Sequence, residues 1–278
     1  MSALPREISP GLFWLGDCQV QRVRGKVYHG YNAAYLLIGG QASCLLETGA
    51  PKDFPLLKRQ IDSVLDSSRP PLRHIFLSHQ ETPHAGGLSR LMDLFPEVTL
   101  HGDLSDYHLV VPEHAHRFHW MEAGHELDLG GRSLVTVDPV IRDLRSTLWA
   151  FDTRDHVLFP ADGFAYSHFH TEGHCGLLAE EATNLDLQDG SAVFAERALF
   201  WTKFVDMKPY IDRFERLVAD LDVRMIAPTH GLPVGDVART MPLVMEGLRF
   251  GSREEMLPQG ELAQSSLDQE ALAAHRVV

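Results

Sequence analysis

Three metal-binding side chains, His79, Glu81 and His84, fall on the short stretch Leu77-Ser78-His79-Gln80-Glu81-Thr82-Pro83-His84-Ala85-Gly86-Gly87-Leu88. Imidazole and carboxylate together hold transition ions, so this stretch reads as half of a metal site. A lone His-X-Glu on a loop is more often a surface accident. Two other segments lift this one above that level. Val157-Leu158-Phe159-Pro160-Ala161-Asp162-Gly163 and Met225-Ile226-Ala227-Pro228-Thr229-His230-Gly231 each run an apolar strand into a glycine turn and deliver one ligand there, Asp162 and His230. A set of this kind can present open coordination positions to a small molecule or activate a bound water.

The elements that would position these groups alternate sheet and helix. Arg73-His74-Ile75-Phe76-Leu77 reads as a buried strand, and Leu88, Leu91, Met92 and Phe95 recur at helical spacing, which places the first ligands at a strand's C-terminal end. Ligands in α/β folds collect there. Before this unit, strands are expected at Gly11 to Leu15, Ala33 to Ile38 and Ser43 to Glu47, with Gly39-Gly40 as a hairpin turn. Asp53 is placed to cap a helix carrying Phe54, Leu57, Ile61 and Leu65.

After it, strands are expected at Val98 to His101, Leu134 to Val137, Leu148 to Phe151, Val157 to Phe159 and Val223 to Ile226. The stretch from Ala192 to Leu221 reads as helical, with Phe200, Phe204, Tyr210, Phe214, Leu217 and Leu221 as a core-facing stripe. A last helix covers Val237 to Phe250. Residues 1–250 are expected to form one domain, and Gly251 to Val278 a loosely packed polar tail.

The 278 residues can bury one large core, with 44% hydrophobic and 23% charged residues, ordinary values for a water-soluble globular chain. A formal net charge of −13 argues against nucleic acid and anionic membranes as partners. No apolar run is long enough to span a bilayer, and Met1 to Glu7 lacks the basic and apolar regions of a secretory signal, so the expected compartment is the cytoplasm. Cys18, Cys44 and Cys175 form no CxxC pair, which suggests reduced thiols and neither a disulfide framework nor a cysteine zinc knuckle. The run of histidines His108, His114, His116, His119 and His125 is expected to be a solvated surface region. No GxSxG elbow, GxxxxGK[ST] loop or strand-linked GxGxxG offers a competing catalytic constellation.

With these segments placed, the chain resembles the metallo-β-lactamase fold, a four-layer αββα sandwich, and within it the flavodiiron and oxygen-binding diiron branch. The resemblance covers Gly11 to Phe250. Hydrolases of the superfamily carry His-X-His-X-Asp-His on the ligand loop and the diiron branch His-X-Glu-X-Asp-His; here the loop presents His79, Glu81, Pro83 and His84. Glu81 points to the iron branch, since an added carboxylate suits a harder, redox-active ion. The resemblance implies His79 and Glu81 on a first ion, His84 and His230 on a second, and Asp162 bridging them. It also implies a homodimer.

Two positions depart from the family. Pro83 replaces the loop aspartate, and the family's remaining histidine, in a segment similar to Asp138-Pro139-Val140-Ile141-Arg142-Asp143-Leu144-Arg145-Ser146-Thr147, aligns on Arg142. A guanidinium cannot ligate and would repel a cation, so three arrangements stay open. Arg142 turns away and two ions bind. Alternatively, Arg142 pairs with Glu81 and one ion remains on His84, His230 and Asp162. In the third, a histidine from Ser167-His168-Phe169-His170-Thr171-Glu172-Gly173-His174 replaces a lost ligand. That segment is also a candidate lid, with Phe164, Tyr166 and Phe169 expected to line the pocket. Arg142, His168 and His170 are therefore the candidate catalytic residues beside the metal set. Ser78 and Thr229 could orient ligands, and Glu47 is expected to order the metal loop.

The function these readings imply is a non-haem iron protein, with one or two ions, that binds or activates dioxygen or nitric oxide as an oxidoreductase. Its electrons would come from a separate donor protein or from a small-molecule substrate. The alternatives are a zinc-dependent hydrolase of an ester, lactone, thioester or phosphodiester, and a degenerate sensor without turnover.

Overall fold

The computed structural model describes residues 4–170, 175–183 and 185–250. The chain opens with an antiparallel run of strands β1 (Arg6–Ser9), β2 (Leu12–Val23), β3 (Lys26–Ile38) and β4 (Ser43–Leu46). Helix α1 (Phe54–Val64) leads to β5 (Leu72–Phe76), the short α2 (Thr82–Ala85), α3 (Leu88–Leu94), β6 (Thr99–Gly102), a helical turn α4 (Tyr107–Val110) and β7 (Phe118–Trp120). Strands β5 to β7 add in parallel beyond β4, completing a seven-stranded sheet in sequence order. The second half supplies β8 (Glu126–Asp128), β9 (Ser133–Val137), β10 (Trp149–Asp152), β11 (Val157–Phe159), α5 (Leu187–Ala198), α6 (Lys208–Asp220), β12 (Met225–Ile226) and α7 (Val237–Phe250). Its sheet has the order β12-β11-β10-β9-β8.

Alternation along β2 and β3 makes the sandwich. Leu12 and Trp14 with Ala33, Tyr35 and Leu37 face a core shared with Trp149, Leu158 and Phe159 of the second sheet. Phe13 and Leu15 with Ala34 and Leu36 face the other way, under Leu57 and Ile61 of α1 and Leu88, Leu91 and Met92 of α3. Side chains of period two that are apolar on both faces require a layer on each side. The first core continues past the second sheet to Phe214 of α6, stacked on Phe164 at 5.6 Å, and to Val244, Met245 and Leu248 of α7. The result is the αββα arrangement.

Several expectations are corrected by packing. Strands β2 and β3 run far past the predicted segments, because residues 16–32 form a partly exposed, polar hairpin arm without an apolar repeat. The stretch read as one helical region divides into α5, a 3-10 turn at Phe200–Phe204 and α6, and Phe200 and Phe204 are exposed, so the stripe is not wholly core. Asp53 stands at the N-cap of α1 but makes no cap bond; its carboxylate accepts from Lys52 Nζ at 2.6 Å and Asn32 Nδ2 at 3.1 Å. His114 is buried and bonded to Arg117, unlike the solvated run expected around it. The residues read as a loose tail, 251–278, lie outside the described residues.

The ligand loop is held by close backbone approach. A Cβ on Gly86 would lie 2.3 Å from Pro51 Cδ, and one on Gly87 2.4 Å from the Thr48 carbonyl oxygen. Thr48 in turn grips the loop, its N–H and Oγ1 both donating to the His84 carbonyl at 2.6 and 2.8 Å. Any side chain at Gly87 forces α3 away from this strand end. Gly87→Ala is expected to lower stability by about 1–3 kcal/mol, as overpacked cores do, and to weaken metal binding with it. Thermal denaturation checks this, and melting at the parent temperature would show that the loop has slack.

Candidate metal centre

Each ligand arrives on a different strand end. The loop after β5 brings His79, Glu81 and His84 together with Asp162, from the 3-10 turn Ala161–Phe164 after β11, so that one ligand atom from each lies within 4.8 Å of the others. His230 follows β12, with its Nε2 3.6 Å from Asp162 Oδ1, while His84 Nε2 is 3.7 Å from the same oxygen. The rings of His79 and His84 lie 4.1 Å apart and those of His84 and His230 5.0 Å. His79, His84 and Asp162 are buried, and Glu81 stands partly exposed at the rim.

Arg142 does not enter this cluster. Its guanidinium turns outward to Asp138 at 3.1 Å and is 42% exposed, which removes the pairing with Glu81 considered above. The next residue, Asp143, which sequence reasoning missed, points inward with Oδ2 3.3 Å from His79 Nε2. Thr147 Oγ1 donates to the other oxygen, Asp143 Oδ1, at 2.7 Å and fixes the carboxylate. The signal lay in the sequence, since an acidic residue adjoined the misassigned arginine. A one-residue shift in a segment without anchors hid it.

His168 and His170 also lie outside the cluster. The His168 ring stacks on Tyr31 at 5.6 Å, and His170 sits against Cys18 at 3.1 Å. His168 is itself buried and forms no lid. Of the aromatics expected around the pocket, Tyr166 lines it, Phe164 is in the core and Phe169 is largely exposed. His174 lies outside the described residues.

The surrounding groups orient the ligands. His230 Nδ1 donates to the Tyr31 carbonyl, which leaves Nε2 with its lone pair toward Asp162. Ser78 Oγ pairs with His79 Nδ1 at 2.8 Å, and Thr229 Oγ1 donates to Asp162 Oδ1 at 2.5 Å. Glu47 accepts from the Ser78 N–H at 3.1 Å and faces His84 Nδ1 at 3.9 Å.

The donor set fits a cation. His79 Nε2, both nitrogens of His84, Asp143 Oδ2 and Glu47 Oε2 are buried without a hydrogen-bond partner. Burial pushes the Asp162 carboxyl up to about 7, with Asp143 adding to the rise, and pushes Glu47 up to about 8. Burial, then the neighbouring His79 and His230, holds His84 well below the usual histidine range. Among the described residues the charged partners of Glu47, Asp143 and Asp162 are histidines, with no lysine or arginine ion pair. Converging lone pairs and unneutralised carboxylates are what a divalent ion resolves.

A family model described as ODP family beta lactamase matches residues 31–231. The chain belongs to this family. It is 26% identical over 243 residues to the coenzyme F420H(2) oxidase of Methanothermobacter marburgensis, covering 83% of this chain and 58% of that protein. It is 24% identical over 235 residues to the anaerobic nitric oxide reductase flavorubredoxin of Pectobacterium atrosepticum, covering 81% and 44%. Among solved structures, the rubredoxin oxygen:oxidoreductase of Desulfovibrio gigas superposes with a TM-score of 0.66 at 18% identity, over 87% of this chain and 60% of that one. A putative diflavin flavoprotein fragment from a Nostoc species gives 0.64 at 17%, over 86% and 93%. This ODP-family chain spans about half the length of the curated relatives it matches.

The buried carboxylates make the metal-free protein pH-sensitive. Folded Asp162 and Glu47 keep their protons up to about 7 and about 8, whereas unfolded they lose them near pH 4. Their cost to stability therefore grows as pH rises through that interval and is complete above about pH 8. His84 and His230 act oppositely, because the unfolded chain binds protons there that the fold refuses, and that cost fades above about pH 6.5. From about pH 6.5 to 8 the carboxylates alone act. The melting temperature of chelator-treated protein is expected to fall across that window, and loading with a divalent ion to remove the fall. Glu47→Gln should leave the metal-free curve level above about pH 7, measured by calorimetry.

Proposed function

We propose that this chain is a non-haem iron protein that binds dioxygen or nitric oxide and transfers electrons to it as an oxidoreductase. The observation that carries this reading is the carboxylate-rich set: His79, Glu81 and Asp143 on one side, His84 and His230 on the other, and Asp162 between them. Iron held there would supply one-electron chemistry and positions open to a diatomic ligand. The three carboxylates would stabilise positive charge as it grows. The Tyr31 carbonyl would keep His230 in one tautomer, and Ser78 would hold the His79 ring.

The cavity above the cluster has a volume of 270 Å³ and is lined by Glu81, Pro83, Asp162, Tyr166, Phe194 and His230, among others. That is just below the range for ligand pockets, about 300–1,000 Å³, and leaves ample room for a diatomic molecule. The relatives named above, an oxidase and a nitric oxide reductase, support the same direction and lend nothing to the zinc hydrolase alternative. A separate electron-donor protein belongs to the proposal, together with a homodimer and a cytoplasmic site of action. No helix among the described residues is long and apolar enough to cross a membrane. The domain assignment, 1–250 with a C-terminal tail, is part of the same reading.

Anaerobic protein loaded with ferrous iron is expected to develop new absorption and paramagnetic resonance signals on mixing with nitric oxide. Unchanged spectra with both nitric oxide and dioxygen would sink the proposal. Asp143→Ala should lower bound iron by one equivalent while His84 and His230 keep the other. Pro83→Asp, which returns a carboxylate beside His84, should tighten that remaining ion, measured by competition with a chelator.

A further inference from the structure

A second group of metal-binding side chains lies on the other side of Tyr31 from this centre. Cys18 of β2 is cross-strand from Tyr31 of β3, so the two share a face of the hairpin with His29, two residues before Tyr31. The segment after Tyr166 docks on that face through a two-way backbone bridge between His29 and His168. His170 and Cys175 are carried in with it. Cys18 Sγ is 3.3 Å from His29 Nδ1 and 3.1 Å from His170 Nε2, and Cys175 Sγ is 3.6 Å from the same His170 nitrogen. The donor atoms of Cys18, His170 and Cys175 all fall within 4.8 Å of one another.

Hydrogen bonding alone does not account for this convergence. A thiol carries one proton, yet Cys18 faces two imidazole nitrogens and His170 Nε2 faces two sulfurs. The spacing matches a tetrahedral ion instead: with metal–sulfur bonds of about 2.3 Å and metal–nitrogen bonds of about 2.0 Å, sulfur and nitrogen ligands stand about 3.6 Å apart. An independent sign lies beside the cluster. His168 is only 3% exposed, both of its ring nitrogens lack a partner, and its ring lies 5.3 Å from that of His170 and 6.1 Å from that of His29. A buried imidazole left open next to two thiols and two further imidazoles marks a polar pocket that the protein's own hydrogen bonds do not complete.

We infer that Cys18, His29, His170 and Cys175 form a second metal site, a two-thiolate, two-imidazole set that takes a borderline divalent ion, zinc in the first instance. Two soft and two nitrogen ligands closing all four positions match structural zinc. The ion would pin His170 and Cys175 onto the β2–β3 arm. That arm also bears Tyr31, whose carbonyl orients His230, so the second ion would brace the first centre without touching it.

The test is titration of reduced, metal-free, full-length protein with cobalt under anaerobic conditions. The expected result is a thiolate-to-cobalt charge-transfer band in the near ultraviolet whose final intensity corresponds to one cobalt–dithiolate site per chain and which is bleached by zinc. The first centre has no thiol and cannot produce it. The band should persist in His84→Ala and Cys44→Ala and vanish in Cys18→Ser and in Cys175→Ser. Zinc should also protect Cys18 and Cys175 from alkylation in the unaltered chain, a readout that needs no variant. Cobalt uptake without a thiolate band would overturn the inference, and so would a Cys18–Cys175 disulfide that forms as readily with zinc in excess as without it, which would make the cluster a redox pair.

Discussion

Like charges cannot share a dry site. Glu47, Asp143 and Asp162 converge around three imidazoles where little reaches water, with Glu81 at the rim, and the protein's own cations stay away: Arg142 faces out to Asp138, and Arg197 stands at the cavity mouth bonded to Gln21. Isolated ionised groups in such surroundings either neutralise or acquire a counter-ion. The raised pKa values of Asp162 and Glu47 describe the first outcome in the metal-free chain. The buried, unpartnered nitrogens of His79 and His84 single out a metal for the second.

That requirement explains why the fold joins its sheets as it does. The ligands come from the ends of β5, β11 and β12 and from the loop before β10, so three of them (His79, Glu81, His84) belong to one sheet's connections and three (Asp143, Asp162, His230) to the other's. Their spacing depends on how the sheets are bonded across the gap. The Leu148 N–H donates to the Ser78 carbonyl at 2.8 Å, the Ala33 N–H to the Thr229 carbonyl at 2.9 Å, and the Tyr35 hydroxyl to the Pro228 carbonyl at 2.6 Å. Each tie adjoins a ligand or its neighbour. Farther off, buried Arg132 binds Asp152 of β10 and reaches the carbonyls of Gly11 and Ile38 in the first sheet, a second clamp on the same angle between layers. Two of the five non-glycine residues with positive φ among the described residues flank the site, Glu47 and Ala161, at 64° and 48°.

What could be read in the sequence follows from how local each signal was. Apolar alternation placed the inner strands, and the strand-to-glycine pattern found His79, Glu81, His84, Asp162 and His230, because each ligand is adjacent to the element that carries it. Asp143 escaped because its position is set by tertiary bonds, Thr147 to its carboxylate and Leu148 to Ser78, and not by any periodic element. The outer arm of β2 and β3 escaped for a related reason. Its residues are polar and half-exposed, and its pairing is stated only by the partner strand. Cys18 and Cys175 looked unrelated for the same cause, being 157 positions apart and joined only when the segment at His168 adds to that arm.

The two departures from the family's ligand pattern are then one change. Pro83 removes a carboxylate from the side of His84 and His230, and Asp143 adds one to the side of His79 and Glu81 where a neutral histidine is expected. The number of ligand carboxylates is preserved, at three. Their distribution is not. One ion would face a single imidazole and mostly oxygen donors, a hard environment that favours the higher oxidation state. The other would keep two imidazoles and a shared carboxylate, a set with more open positions and less anionic charge. An uneven pair of this kind separates holding positive charge from admitting a ligand. The cavity reaches both sides, lined by Glu81 from one and by Pro83 and His230 from the other, with Asp162 between them.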